Sequence, residues 1–237
     1  MSILSYGWPT TWRFPPELDT LEMQSPNIIT SRITHATPEQ KQMWRNKGKI
    51  VLHQLVELAT LLLTPGALLT ELVKLTNGQP VDGISIDEFR LGKHNEVQRT
   101  TIKNEIMAYR EKYPSMLLHG WIGYCLHDFI DQSTVSMVYD LCDWVSPELY
   151  IKEGDSITMH VFLRRYRAQM NLSRTLVGLA VHKDYRITET GWLPHLSTQI
   201  QRVKALGCAG IAMWAPMHLR NSGERRAVDA LLTKGEL

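Results

Sequence analysis

Two acidic stretches carry the residue types that acid–base chemistry needs. Val81–Phe89 reads VDGISIDEF, so the adjacent carboxylates Asp87 and Glu88 follow an alternating run containing Ile84 and Ile86. Carboxylates that close a buried apolar run are costly unless they are solvated or used. Ser146–Tyr150 reads SPELY and offers Glu148 with Tyr150 two residues on. Residues two apart on a strand share a face, and Pro147 fits a strand only near an edge or an end. Glu148 and Tyr150 are therefore expected together at a strand terminus. Carboxyl groups set across one cavity divide the work of bond cleavage: one donates a proton, and the other acts as base or nucleophile. The donor must keep its proton near neutral pH, which burial or a neighbouring anion achieves. On this reading Glu88 is the general acid. Asp87 tunes it or stabilises a cationic transition state, and Glu148 is the base or nucleophile. The plainer reading makes them a surface carboxylate, a helix cap and an exposed Glu beside a packed Tyr.

Aromatic residues gather where other strands are expected to end: Tyr6 and Trp8, Trp121, and Trp214. Sugar rings have apolar faces that stack on aromatic rings, while their hydroxyls need polar partners. Seven tryptophans are generous for 237 residues, so Trp8, Trp121 and Trp214 are read as a sugar platform with Tyr6 beside it. His53 and His182 fall at the ends of two further strands. His182 and Tyr150 would orient the carboxylates or contact substrate, and His53 joins the same lining. A metal reading would use His53, Asp87, Glu148 and His182, since metal catalysis needs three or more converging ligands. The chain has no His-x-His in its first strand and no His-Glu-x-x-His, so no metal or other cofactor is expected. No Gly-x-Ser-x-Gly turn and no Gly-Lys-Ser/Thr phosphate loop is present either.

These residues need elements to position them. Eight β-rich runs recur along the chain: Ile3–Trp8, Asn27–Ile33, Lys49–Leu55, Val81–Phe89, Met116–Ile122, Trp144–Ile151, Thr175–His182 and Gly210–Trp214. Helical periodicity lies between them. Thr64-Pro65 predicts a helix start with a cap and a first-turn proline, and Leu68, Leu69, Leu72, Val73 and Leu75 form its apolar face. Met159, Phe162, Leu163, Tyr166 and Met170 make another such face, as do Leu193, Leu196, Ile200, Val203 and Leu206 before the stop at Gly207. Pro38–Lys47, His94–Tyr113, His127–Leu141 and Arg225–Leu232 are further helices, and only Pro15–Ser25 makes a poor one. Strands alternating with helices pair in parallel, because each crossover needs a covering helix. Eight such units in this length predict an α/β fold, a single (β/α)8 TIM barrel over residues 1–237, with its working face at the carboxyl ends of the strands. An open doubly wound sheet would begin with a glycine-rich first turn, which is missing.

Composition narrows the partners. A formal net charge of +2 and the absence of a basic stripe argue against nucleic acid. The most apolar stretch, Leu55–Leu69, is interrupted by Glu57, Thr60, Thr64, Pro65 and Gly66, so no membrane span is expected. MSILSYGWPTTWRF has no basic segment followed by a long apolar run, so the chain reads as soluble and without an export address, its location cytoplasmic or unknown. Three cysteines without close spacing, Cys125, Cys142 and Cys208, read as free buried thiols.

VDGISIDEF resembles the strand-four signature of glycoside-hydrolase barrels. The chitinase-like group shows Asp-Gly-x-Asp-x-Asp-x-Glu. Asp82, Gly83 and Asp87 match that frame, whereas Ser85 stands at its middle Asp and Phe89 at its final Glu, so an ordinary chitinase is not expected. The large retaining-glycosidase clan ends strand four in Asn-Glu, the Glu being the proton donor, and Asp87-Glu88 is similar to that pair. Its nucleophile, a Glu ending strand seven, has no counterpart in His182-Lys183-Asp184. Pro147-Glu148-Leu149-Tyr150 is similar to the Pro-x-x-Tyr strand six of other glycosidase-like barrels. The resemblance implies an enzyme that cleaves a glycosidic bond of an oligo- or polysaccharide at the carboxyl face of the barrel. A non-catalytic carbohydrate-binding barrel and a metal-dependent hydrolase stand as alternatives.

Overall fold

The structure is a computed structural model that describes residues 2–6, 27–31, 36–55, 58–87, 89, 91, 94–122, 132–151, 167, 170–180, 191–214 and 222–233. Eight strands form a closed ring in chain order. They are β1 (Ser2–Tyr6), β2 (Ile28–Ser31), β3 (Ile50–Leu55), β4 (Gly83–Ile86), β5 (Leu117–Ile122), β6 (Trp144–Leu149), β7 (Leu176–Ala180) and β8 (Gly210–Trp214). Every neighbouring pair is parallel, including the closing pair of β1 and β8. The (β/α)8 barrel expected from the strand–helix alternation is therefore present. β8 has the bounds of the run that predicted it, while β3, β4, β5 and β6 are shorter than theirs, because pairing lasts only while neighbours lie alongside.

Seven α-helices accompany the ring among the described residues: α1 (Pro38–Asn46), α2 (Leu58–Leu61), α3 (Ala67–Thr76), α4 (Glu96–Lys112), α5 (Gln132–Leu141), α6 (Trp192–Leu206) and α7 (Ser222–Thr233). Of the expected helix around 159–170 only residues 167 and 170 are described, and the segment 15–25 lies outside the described residues. α1 and α4 begin with reciprocal caps, Thr37 with Gln40 and Asn95 with Gln98, which satisfy amides that the first turn leaves unpaired. Gly207 ends α6 with φ 80°, as the sequence predicts. The start of α3 corrects the sequence reading. The helix begins after Gly66 without a side-chain cap of its own. Its first amides, Gly66 N and Leu69 N, donate instead to the two carboxylate oxygens of Glu105 on α4, each at 2.8 Å. No described helix is long and apolar enough to cross a membrane.

The core has two principal layers. Ile84, Ile86, Leu118, Val145, Val177 and Ile211 face outward and join the helices in the larger cluster. Ile28, Leu52, Trp121, Tyr150, Leu176 and Ala212 pack inside the ring. Two aspartates fasten its amino end by the same device. Asp82, just before β4, accepts from Val51 N of β3 and from Arg45 of α1. Asp143, just before β6, accepts from Leu118 N of β5 and from Arg110 of α4. Asp82 thus serves the frame of the barrel at the end remote from the carboxyl face. Cys142 and Cys208 are free thiols, and burial pushes them up to about 12 and about 11. Cys125 lies outside the described residues.

Candidate active site at the carboxyl ends of the strands

Register decides which side chains share a level. The pairing slips by about one residue per strand around the ring, the stagger of a barrel with shear of ~8, so residues of alternate strands come level. By this rule Asp87, just after β4, is level with Glu148 on β6 and with the backbone of Trp214 on β8. The level beneath holds Gln54, Trp121 and Gly178 with the backbone of Tyr6, and the next holds Thr30, Ser85, Ser146 and Ala212.

Asp87 is buried and receives a hydrogen bond from Gln54 Nε2 at 3.3 Å, while its own amide donates to Leu55 O. Glu148 is half-buried on the inner face of β6. Its Oε1 accepts from Trp121 Nε1 at 2.6 Å. An indole N–H only donates, so it engages Glu148 as an acceptor. Trp121 reaches across the ring, where its Cζ2 would stand 3.3 Å from a Cβ on Gly178 of β7; the glycine leaves the indole its room. Tyr150 is buried beside Trp121, ring centroids 6.5 Å apart. Beneath them His119 is wholly buried, with Nδ1 2.8 Å from Ser85 Oγ and Nε2 2.7 Å from Ser146 Oγ.

The structure brings Asp87, Trp121, Glu148 and Tyr150 together and separates others. His53 is corrected. It lies on β3 between Leu52 and Gln54, which face inward, so alternation turns it outward. Its Nδ1 is 2.6 Å from Leu75 O of α3, and its Nε2 meets Lys41 Nζ of α1. It belongs between barrel and helices, and the four-ligand metal reading loses a member. Trp121 is corrected as well: its ring is 0% exposed, so it offers no face for a sugar to stack on and acts as the partner of Glu148. Glu88, Trp8 and His182 lie outside the described residues. Tyr6 and Trp214 pair with one another at the carboxyl ends of β1 and β8, and their side chains are outside the described set. Among the described residues no group of three or more His, Cys, Asp or Glu is placed to hold a metal ion.

Sequence reasoning passed over Gln54, His119 and Ser146. The signal for His119 was available. A histidine inside an apolar strand (LLHGWI) must find partners for both ring nitrogens, and Ser85 and Ser146 are the small hydroxyls on the inner faces of the flanking strands. Phe89, which stands where the chitinase-like frame ends in Glu, is 0% exposed, and its Cδ1 would stand 3.1 Å from a Cβ on Gly120, among Cys142 and Val138 of the outer layer.

The sequence matches no protein-family model and no curated protein. The fold has counterparts among solved structures. A GH18 chitinase from Pseudoalteromonas aurantia aligns with a TM-score of 0.71 at 13% identity, covering 98% of this chain and 100% of that one. An endo-beta-N-acetylglucosaminidase from Cordyceps militaris aligns at 0.68 and 14%, covering 100% of this chain and 91% of the other. A chitinase-like agglutinin from Robinia pseudoacacia aligns at 0.66 and 11%, covering 97% and 99%. At such identities the likeness is one of fold: the chain folds as the (β/α)8 barrel that glycoside hydrolases and their lectin-like relatives share.

Proposed function

We propose that this chain is a glycoside-hydrolase-like enzyme, one domain over residues 1–237, that cleaves a glycosidic bond of an oligo- or polysaccharide at the carboxyl face of its barrel. The observation that carries the reading is the common level of Asp87 and Glu148, at β4 and β6 on either side of β5, with Trp121 of β5 between them holding Glu148. Two strand spacings of ~4.8 Å set their backbones roughly 10 Å apart, close enough for inward-reaching carboxyl groups to address one linkage. Glu88 is assigned as general acid, Asp87 as the tuning or cation-stabilising charge, and Glu148 as base or nucleophile. Tyr6, Trp8, Tyr150, His182 and Trp214 remain the substrate-contacting set. The first probes are N-acetylglucosamine oligomers and N-linked glycans. Among fold neighbours, a Cycas revoluta chitinase is solved in complex with (GlcNAc)4 and the Cordyceps enzyme in complex with fucosyl-N-acetylglucosamine-Asn.

Ser85 and the packed Phe89 favour a second reading, a non-catalytic carbohydrate-binding barrel, because they remove two carboxylates from the chitinase-like frame. One experiment separates the two. The glycan panel is titrated while tryptophan fluorescence and reducing-end release are followed together. The enzyme reading expects release that Glu88→Gln and Glu148→Gln each lower by at least ~100-fold without loss of binding. A fluorescence change with no release supports the binding barrel, and release that survives both substitutions overturns the assignment.

A further inference from the structure

The interior of the ring holds a polar tie that the proposed chemistry does not use. Ser85 precedes Asp87 by two residues on the inner side of β4, and Ser146 precedes Glu148 by two on β6. β4 and β6 do not pair, since β5 separates them. His119 of β5 links them through Ser85 Oγ at 2.8 Å and Ser146 Oγ at 2.7 Å. It therefore connects the two carboxylate-bearing strands inside the barrel, through serines two levels below the carboxylates. The imidazole also stands edge-on to Trp121, centroids 5.8 Å apart at 81°, and Trp121 holds Glu148.

We infer that His119 is a positioning residue: by tying Ser85 to Ser146 and supporting the ring of Trp121, it sets the orientation of the Trp121–Glu148 pair. Only the catalytic consequence rests on the proposed function; the positioning itself does not. A neutral imidazole has one N–H and one acceptor nitrogen, so one serine accepts from the ring while the other donates to it. Burial pushes His119 down to about 3, which keeps the ring neutral and the tie intact through the neutral range. Leucine at this position would leave both hydroxyls without that partner in the barrel interior. Glutamine offers a donor and an acceptor and preserves the tie.

The test follows the indole N–H of Trp121 by nitrogen-15 NMR of the full chain, with the signal assigned by its loss in Trp121→Phe. In His119→Leu, and more mildly in Ser146→Ala and Ser85→Ala, the signal is expected to move and its proton to exchange roughly tenfold faster. His119→Gln is expected to keep the parent signal. The proposal is overturned where the signal stays put in His119→Leu and Ser146→Ala, or where His119→Gln disturbs it as much as leucine does. Should the leucine variant fail to fold, the two serine variants decide by the same criterion. On any glycan the parent cleaves, His119→Leu should lower kcat about tenfold with KM held, and glutamine should restore it. A parent that cleaves nothing removes the proposed function, and the indole signal still decides the positioning role.

Discussion

Trp121 Nε1 donates to Glu148 Oε1 at 2.6 Å across adjacent strands of the ring. The donor is fully enclosed and the acceptor half-exposed, so the rigid interior dictates where a mouth carboxylate points. Fixing a reacting group in advance is where much of an enzyme's rate originates, and a misplacement near 1 Å costs about 100-fold. Trp121→Phe keeps most of the ring and deletes the N–H. Turnover on a cleaved glycan should fall by about 10- to 100-fold, while thermal unfolding shows a loss of roughly 1–3 kcal/mol. Kinetics beside a melting curve check both, and an unchanged kcat would detach Trp121 from the chemistry.

Much of the barrel was legible because each strand is a short apolar run between turn signals, and eight of them alternate with helical stripes. Which face each residue takes was harder to read. His53 and Gln54 are neighbours of similar polarity, and only the packing of Leu52 inside the ring and of Val51 outside it settles that Gln54 is the inward one. Beyond β4 the alternation holds to Asp87, whose N bonds Leu55 O, and is lost by Phe89, whose N bonds Trp121 O. The chain turns there, so Phe89 leaves for the outer layer although its spacing from Asp87 would keep it inside. Trp121 looked like a platform because tryptophan suits one; its N–H found a carboxylate and its ring found Gly178.

Acid should weaken this fold through its buried imidazoles. His53 is pushed down to about 4 and His119 to about 3, in both cases by burial above all. An unfolded histidine takes up its proton near 6.5, so between that value and the folded one the unfolded state binds more protons, and stability rises with pH. The contribution is complete above about 6.5 and is lost as the pH falls toward 4. For His53 it is on the order of 3 kcal/mol. Lys41 of α1 faces this ring and the Leu75 carbonyl of α3 takes its other nitrogen; among the described residues no carboxylate pairs with either. Protonation would set two cations together. Urea unfolding between pH 4 and 7 should show the slope, and His53→Gln, which can accept from Lys41 and donate to Leu75, should reduce it to the share that His119 contributes. A parent curve level across that window would refute the account.

Two glycines are expected to differ in what they tolerate. A Cβ on Gly83 would stand 2.0 Å from Leu117 O, a backbone atom of the neighbouring strand. Neither strand can withdraw without breaking the pairing of β4 and β5, so Gly83→Ala should cost more than about 4 kcal/mol or yield no folded protein. On Gly178 the Cβ would stand 3.0 Å from Pro147 O and 3.3 Å from the Trp121 ring. Shifts of a few tenths of an ångström absorb that, at about 1–3 kcal/mol, and they fall on the β6 backbone at Pro147 and Glu148 and on the Trp121 ring that holds Glu148. Gly178→Ala should therefore fold and show a displaced Trp121 indole signal. Circular dichroism and the same NMR spectrum check the contrast.

Glu105 offers a control for stability without chemistry. Its carboxylate receives Gly66 N and Leu69 N at 2.8 Å each, so one helix supplies from its side the cap that the other's sequence lacks. A carboxylate there also meets the positive end of the α3 dipole. Removing such a cap costs about 0.5–2 kcal/mol, and because two amides lose their acceptor at once, Glu105→Ala should fall in the upper part of that range. Glu105→Gln retains one acceptor oxygen and should lose less. The site lies at the carboxyl end of the ring and Glu105 among the outer helices, so neither variant should change the Trp121 indole signal or turnover. Chemical denaturation of both variants, run beside those two measurements, separates loss of fold from loss of function, and a shifted indole signal in Glu105→Gln would show that the helical shell and the Trp121–Glu148 pair are coupled after all.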